Sequence, residues 1–214
     1  MCGRFSLVAS KTKIAKQFKC VSVADSRDRY NIAPSQNITV IINTGDCNEA
    51  VMMQWGLIPS WVKSLATWKG NLINARIETI EEKPSFKNAF QQRPCLIPVS
   101  GFYEWTKDKQ PYYFHGEDEL LALAGIWETW SNTEEKILSC TILTTKAHGA
   151  IAEVHHRMPV VIPAKYYDLW LGKLHGRQEL LESLPEVDLK LYPVSKVVNS
   201  PQNDRPDCVE PIEV

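Results

Sequence analysis

Thirteen prolines are scattered along the chain, so no long uninterrupted helix can be threaded through it. That excludes a coiled coil. A solenoid is excluded too, because no self-similarity with a period of roughly 20–50 residues is present. What lies between the prolines is mostly short apolar runs bounded by turn residues. Runs at 37–42 (NITVII) and 50–55 (AVMMQW) read as strands on either side of a Thr44-Gly45-Asp46 turn, and others follow at 95–99, 101–106, 111–115, 120–127, 136–144 and 189–194. Helices are predicted at 10–18, with Ser10 as N-cap and Ile14, Ala15 and Phe18 inward, and at 81–91, where Pro84 is tolerable only in the first turn. Further helices are predicted at 146–153, at 163–171 opening on Pro163, and at 176–184. Residues 56–73, rich in Trp, Pro and Gly, read as a long surface loop. Strands fill the middle and helices flank it. The expected class is α+β, a largely antiparallel, barrel-like β-sheet with flanking helices. No linker interrupts the chain, so 1–214 is read as a single domain.

Seven Trp, seven Tyr and six Phe supply enough apolar surface to exclude disorder over most of the length. No apolar run approaches the roughly 20 residues of a membrane span, and MCGRFSLVAS lacks a signal-peptide core. The expected address is intracellular, the bacterial cytoplasm, with nucleoid association during repair. The six cysteines are irregularly spaced with no CxxC, which fits free thiols; Cys95 and Cys140 sit in apolar runs as small core residues. Net charge is −1, but residues 1–114 carry 15 Lys and Arg against 9 Asp and Glu, and residues 115–214 carry 9 against 16. A basic half can present a phosphate-binding surface that the total hides, unless folding intermixes the two.

Cys2 is the most informative residue. Once Met1 is removed, the chain begins with an α-amine and a thiol on adjacent carbons. An α-amine titrates near pH ~8, so part of it is neutral and nucleophilic at neutral pH. Such a 1,2-aminothiol condenses with an aldehyde to an imine, and the thiol then closes a thiazolidine ring. In an arbitrary protein a small second residue has no such role; here its neighbours strengthen the chemical reading. Gly3 is permissive, and Arg4 offers a fork suited to phosphate or carboxylate.

Other clusters carry chemistry as well. In NARIET (74–79), Asn74 can orient an amine and Arg76 can hold a phosphate, although such a hexapeptide is ordinarily a capped loop with a surface ion pair. In GFYEW (101–105), Glu104 lies between aromatic residues, either as a paired structural charge or as a carboxyl whose pKa is raised by desolvation into the range of a proton shuttle. The pair His155-His156 precedes Arg157 at the end of a predicted helix, before a strand-like run at 160–162, and at most one of the two imidazoles points into a given site. Neither HxxxH nor CxxC occurs, so no metal and no cofactor is expected. Trp55, Trp61 and Trp68 lie in or beside the 56–73 loop near Lys63 and Lys69, the mixture that single-stranded nucleic acid surfaces use, or else simply the pins that hold a loop to the core.

Taken in order, MCGRF, NIAP (31–34), WGLIPSW (55–61), NARIET (74–79), CLIPVSGFYEW (95–105), LAGIW (123–127), LTTKA (143–147), HHRMPVV (155–161) and the terminal NDRPDCVEPIEV resemble the SRAP family, named for SOS response-associated peptidases. Its members process abasic sites. The resemblance covers nearly the whole chain. It implies a covalent sensor of abasic sites in single-stranded DNA, linked through a thiazolidine at Cys2 after autocatalytic removal of Met1. By the same implication Asn74 positions the Cys2 amine or the sugar, Glu104 shuttles protons, and His155 promotes sugar ring opening. Arg4, Arg76 and Arg157 meet DNA phosphates, with Trp68 and Trp105 as stacking surfaces. A monomer on single-stranded DNA, with no membrane partner, is the expected assembly. With Met1 retained the amine is blocked and no thiazolidine can form.

Two other readings stay open. A Cys–His peptidase acting in trans would use Cys2 as thiolate and His155 as base. A noncovalent reader of damaged or modified DNA would bind equally well without the Cys2 thiol. Three arginines among the chemical motifs suit a polyanion better than a peptide.

Overall fold

The computed structural model describes residues 2–24, 27–117, 119–172 and 176–213. In chain order its elements are β1 (Phe5–Leu7), α1 (Lys11–Phe18), β2 (Cys20–Val23), β3 (Arg29–Ile32), β4 (Asn37–Asn43), β5 (Asn48–Trp55), β6 (Asn74–Arg76), α2 (Lys87–Gln92), β7 (Pro94–Val99), β8 (Gly101–Trp105) and β9 (Pro111–His115). They continue with β10 (Leu121–Ser131), β11 (Lys136–Lys146), α3 (Ile151–Val154), β12 (Arg157–Pro159), α4 (Tyr167–Leu171), α5 (Arg177–Ser183) and β13 (Lys190–Pro193). The class is α+β, with largely antiparallel, barrel-like sheet and helices around it.

Five strands close on themselves. β11 pairs with β10, β10 with β7, β7 with β4 and β4 with β5, all antiparallel. β5 then returns to β11 in a parallel pairing through Ser139↔Gln54 and Cys140↔Trp55. Closure leaves the ring no free edge. The sequence allows it because the wall is apolar and tight. Every residue of PCLIPV in β7 is buried, and a Cβ on Gly125 of β10 would stand 2.9 Å from the Cys95 sulfur and 3.1 Å from the Thr141 carbonyl oxygen. A side chain there would push the wall apart.

Around the ring, β2 joins β5, while β6 and β12 flank the C-terminal end of β11 on its two sides. A second antiparallel sheet runs β13-β9-β8-β1-β3. One apolar cluster passes through both sheets, taking Phe5, Leu7, Phe102 and Phe114 from the second and Trp55, Leu96, Ile126 and Ile142 from the ring. Ser10 caps α1 by accepting a hydrogen bond from the Lys13 N–H, and Ile14 and Phe18 face the core. Cys95 and Cys140 are buried free thiols in that core. Among the described residues no helix is long and apolar enough to cross a membrane.

Several predicted elements differ from those observed. The helix predicted at 81–91 is only α2, because Pro84 supplies no N–H and the chain makes turns before Lys87. The helix predicted at 146–153 shrinks to α3. β11 runs on to Lys146 to pair with Arg157, and Gly149 then takes a positive φ of 54°. In 163–171 a 3-10 turn precedes α4, with Pro163 before the turn rather than inside it. The strand beyond the histidines is β12, three residues earlier than the 160–162 run, and Val161 makes only an isolated bridge to Leu123. The 56–73 segment is irregular but not all surface: Leu57, Ile58 and Val62 are buried, and Leu57 N–H donates to the Leu72 carbonyl. β1, β2, β3, β6 and β12, each three or four residues long, are too short for the sequence pattern to reveal.

Candidate active site

Cys2 is fully buried, and the strand that follows it explains why. β1 pairs with β8 through Phe5↔Phe102 and Ser6↔Gly101, and the Tyr103 N–H donates to the Arg4 carbonyl at 3.0 Å. The pairing threads the N-terminal segment beside the strand that carries Glu104. Burial, followed by the negative charge of Glu104, pushes the Cys2 thiol well above the ordinary range, so it is held as S–H rather than thiolate. Glu104 is only 2% exposed, and desolvation raises its carboxyl from 4.5 to about 7. A carboxyl that titrates at neutral pH can both take and return a proton.

Asn74 approaches from the other sheet. It opens β6, which lies parallel to β11 with Asn74 opposite Ile142, and its Nδ2 donates to the Cys2 carbonyl at 2.9 Å. Its Oδ1 is buried with no hydrogen-bond partner among the described residues. An unmet buried acceptor of this kind costs about 1–3 kcal/mol, so it marks a place where a donor fits. Met1 lies outside the described residues.

His155 ends α3, and two residues later Arg157 pairs with Lys146 at the end of β11. The imidazole is fixed by its own chain: the Arg157 N–H lies 3.0 Å from His155 Nδ1 and the Arg157 carbonyl 3.1 Å from it, so either neutral tautomer has a backbone partner. Partial burial lowers the His155 pKa. His156, stacked on it at 4.4 Å, is exposed and is lowered chiefly by the charge of His155.

The three arginines have different surroundings. Arg4 is half-buried, and its Nη1 donates to Asn31 Oδ1 at 2.7 Å and to the Val198 carbonyl at 2.8 Å. Arg157 is buried against Glu78 and Thr144. Arg76 is exposed and makes no side-chain hydrogen bond or ion pair among the described residues. Of the aromatics, Trp55 belongs to the core, packed on Phe5 at 5.0 Å with its Nε1 donating to the Ile73 carbonyl. Trp68 is half-buried over Gly70, where a Cβ would run into the indole ring, and Trp61, 57% exposed, meets it edge-on. Trp105 is half-exposed, its Nε1 donating to Asn199 Oδ1 at 2.7 Å.

The fold thus brings Cys2, Glu104 and Asn74 together, and sets Arg76 on β6 and His155 two residues before β12, the two strands that flank β11. It separates Trp68, whose loop is pinned to Trp130 of the β10–β11 hairpin by that indole's bond to the Val62 carbonyl. Sequence reasoning missed Asn31, Glu78 and Thr144, which hold the arginines. Asn31 and Glu78 lie inside the NIAP and NARIET motifs, but their partners lie 27 and 79 residues away, and no local pattern reveals them. Among the described residues no group of three or more His, Cys, Asp and Glu is arranged to hold a metal ion.

Residues 1–201 match the family model described as SOS response associated peptidase (SRAP). The chain is 38% identical to abasic site processing protein YoqW of Bacillus subtilis, over 98% of this chain and 99% of that protein. It is 29% identical to abasic site processing protein HMCES of Pongo abelii, over 86% of this chain and 65% of that protein. A crystal structure of a protein from Bacteroides thetaiotaomicron superposes with a TM-score of 0.88 at 26% identity, covering 99% of this chain and all of that one.

Proposed function

The chain belongs to the SRAP family, and we propose on that footing that it processes abasic sites in single-stranded DNA by linking itself to them through Cys2. The observation that carries this reading is the pairing of a buried cysteine with a carboxyl that titrates at about 7, on a segment whose carbonyl is held by Asn74. A peptidase acting in trans needs a thiolate beside an imidazole. Here burial and the Glu104 charge both oppose the thiolate. Addition to an imine can start from the thiol, because its proton passes to the imine nitrogen as the sulfur–carbon bond forms.

The chemistry begins with hydrolysis of the Met1–Cys2 bond, carried out by the protein itself, which frees the Cys2 amine. Asn74 then holds Cys2 by its carbonyl and offers Oδ1 to an amine N–H. Glu104 takes a proton from the ammonium. His155, neutral near pH 7, assists opening of the abasic sugar to its aldehyde. The amine adds to the aldehyde carbon, Glu104 returns the proton, and the former carbonyl oxygen leaves as water. The imine carbon then takes the thiol sulfur, and the thiol proton passes to the nitrogen. One water is released, no oxidant or reductant enters, and the product is a thiazolidine. Exposed Arg76 meets a phosphate, Arg4 and Arg157 being held by Asn31 and Glu78, and Trp68 and Trp105 give bases a face to stack on.

The test is a denaturing gel of the protein with single-stranded DNA carrying one abasic site, beside Cys2→Ala, after intact mass has shown that Met1 is gone. A heat-stable shifted band that disappears in the variant is expected. No band from the Met1-free protein would overturn the covalent reading and leave a noncovalent reader.

A further inference from the structure

Arg157 is committed inside the protein. Its Nη1 and Nη2 donate to the two carboxylate oxygens of Glu78 at 2.7 and 3.0 Å, and Nη2 also donates to the Thr144 carbonyl and hydroxyl at 2.7 and 3.2 Å. The guanidinium side chain is 10% exposed and Glu78 46%. Such a two-pronged contact fixes orientation as well as distance. Its two ends matter more than its middle. Glu78 lies four residues after Asn74, on the turn that continues β6, and Arg157 lies two residues after His155, with its own N–H and carbonyl against the His155 ring. β6 and β12 never pair with each other; each pairs with β11. The Glu78–Arg157 fork therefore ties together, across β11, the two segments that carry Asn74 and His155.

We infer that Glu78 is a positioning residue for the covalent chemistry, an inference that rests on the function proposed above: through Arg157 it sets His155 relative to Asn74. The rival is that the Glu78 carboxylate stands where a DNA phosphate would sit on Arg157 and is displaced by it. A phosphate taking that place must break a two-pronged pair to reach a guanidinium that is nine-tenths buried and already bound to Thr144.

Glu78→Gln separates these. Gln keeps the shape and one acceptor oxygen but loses the charge and the second oxygen. Single-turnover adduct formation is followed against the concentration of abasic single-stranded DNA, well below the melting temperature of the variant. Positioning lowers the maximal rate about tenfold and leaves the half-saturating DNA concentration within about twofold, as small misplacements of reacting groups do. A half-saturating concentration that falls severalfold at unchanged maximal rate would establish the phosphate-surrogate reading. A lowered melting temperature with both kinetic parameters unchanged would reduce the fork to a structural ion pair. Either overturns the inference. Loss of the adduct in the parent protein would instead sink the covalent function, so the two failures are told apart.

Discussion

The closed ring and the short strands around it are held together by different physics. In the ring, β10 and β11 are eleven residues each, paired continuously from Gly125↔Ile142 to Ser131↔Lys136, and most of their buried side chains are apolar. At the rim, β1, β6 and β12 are three residues each. A ladder that short cannot hold a strand alone, and buried polar clasps complete it. Asn31, fully buried in β3, accepts from Arg4 and donates toward the Val198, Ser200 and Asn203 carbonyls at 2.7–3.1 Å. Asp204 accepts from the Tyr30 and Asn31 N–H groups, so the C-terminal segment covers what would otherwise be the open edge of β3. Glu78 and Arg157 do the same work for β6 and β12. Cys2, Arg4, Asn74, Arg76, His155 and Arg157 lie on these short strands or within three residues of them, while Glu104 comes from β8, which pairs with β1. The wall supplies stability and the rim supplies geometry, so damage to the two is expected to show in different measurements.

The largest expected effect tests the wall. Leu96 is fully buried in the ring wall, opposite Ala124 on one side and Ile41 on the other. Leu96→Ala leaves a cavity that flanking strands cannot fill, and urea unfolding should show a loss of about 4 kcal/mol. Adduct formation measured well below the melting temperature should be unchanged. A loss of rate as deep as the loss of stability would break the distinction between wall and rim.

The same distinction decides what could be read in the sequence. The wall was legible because its strands are apolar runs set off by Gly, Asn and Asp, and β4, β5, β7, β10 and β11 fall close to where the pattern puts them. The rim was not. Three residues show no period, and β6 exists only because β11 offers it an edge. For the chemistry, Cys2 and Asn74 stand out by type and motif, and Glu104 by its aromatic neighbours. That Arg4 and Arg157 are held by Asn31 and Glu78 depends on contacts far apart in the chain. The choice left open for Trp55, stacking surface or core pin, has the same root. A Trp that ends a strand looks the same in sequence whether it turns inward or outward, and pairing with β11 turns it inward.

A smaller effect is expected from Glu104→Gln, and it depends on pH. Because burial raises the folded carboxyl to about 7 from an ordinary 4.5, the folded state holds this proton more tightly than the unfolded chain. The stability it contributes is complete below about pH 4.5 and is lost as pH rises through 7. Gln does not titrate. The variant should therefore gain on the parent as pH rises from 5 to 8, by up to about 3 kcal/mol in urea unfolding, since each tenfold difference in proton affinity between the two states is worth about 1.4 kcal/mol. It should at the same time form the adduct more slowly at every pH in that range. A stability difference that stays flat with pH would mean that the carboxyl is already ionised in the fold.

Arg76→Ala should hardly move stability, because the side chain is exposed and holds nothing in place; a change within about 0.5 kcal/mol is expected. Its effect should appear in DNA binding. A single phosphate contact to a single strand contributes about 0.7 to the slope of log affinity against log salt, so removing it should flatten that slope by about 0.7 and weaken binding alike for strands of different sequence. The maximal rate of adduct formation, read at saturating DNA, should stay within about twofold, since an outer phosphate contact binds the substrate and the transition state equally. Glu78→Gln is expected to do the reverse, leaving saturation alone and lowering the rate. The two residues lie two positions apart on the same segment, one facing solvent and the other gripping Arg157. If Arg76→Ala instead lowers the rate and leaves the salt slope intact, Arg76 too belongs to the clasp, and the phosphate must be held elsewhere on the rim.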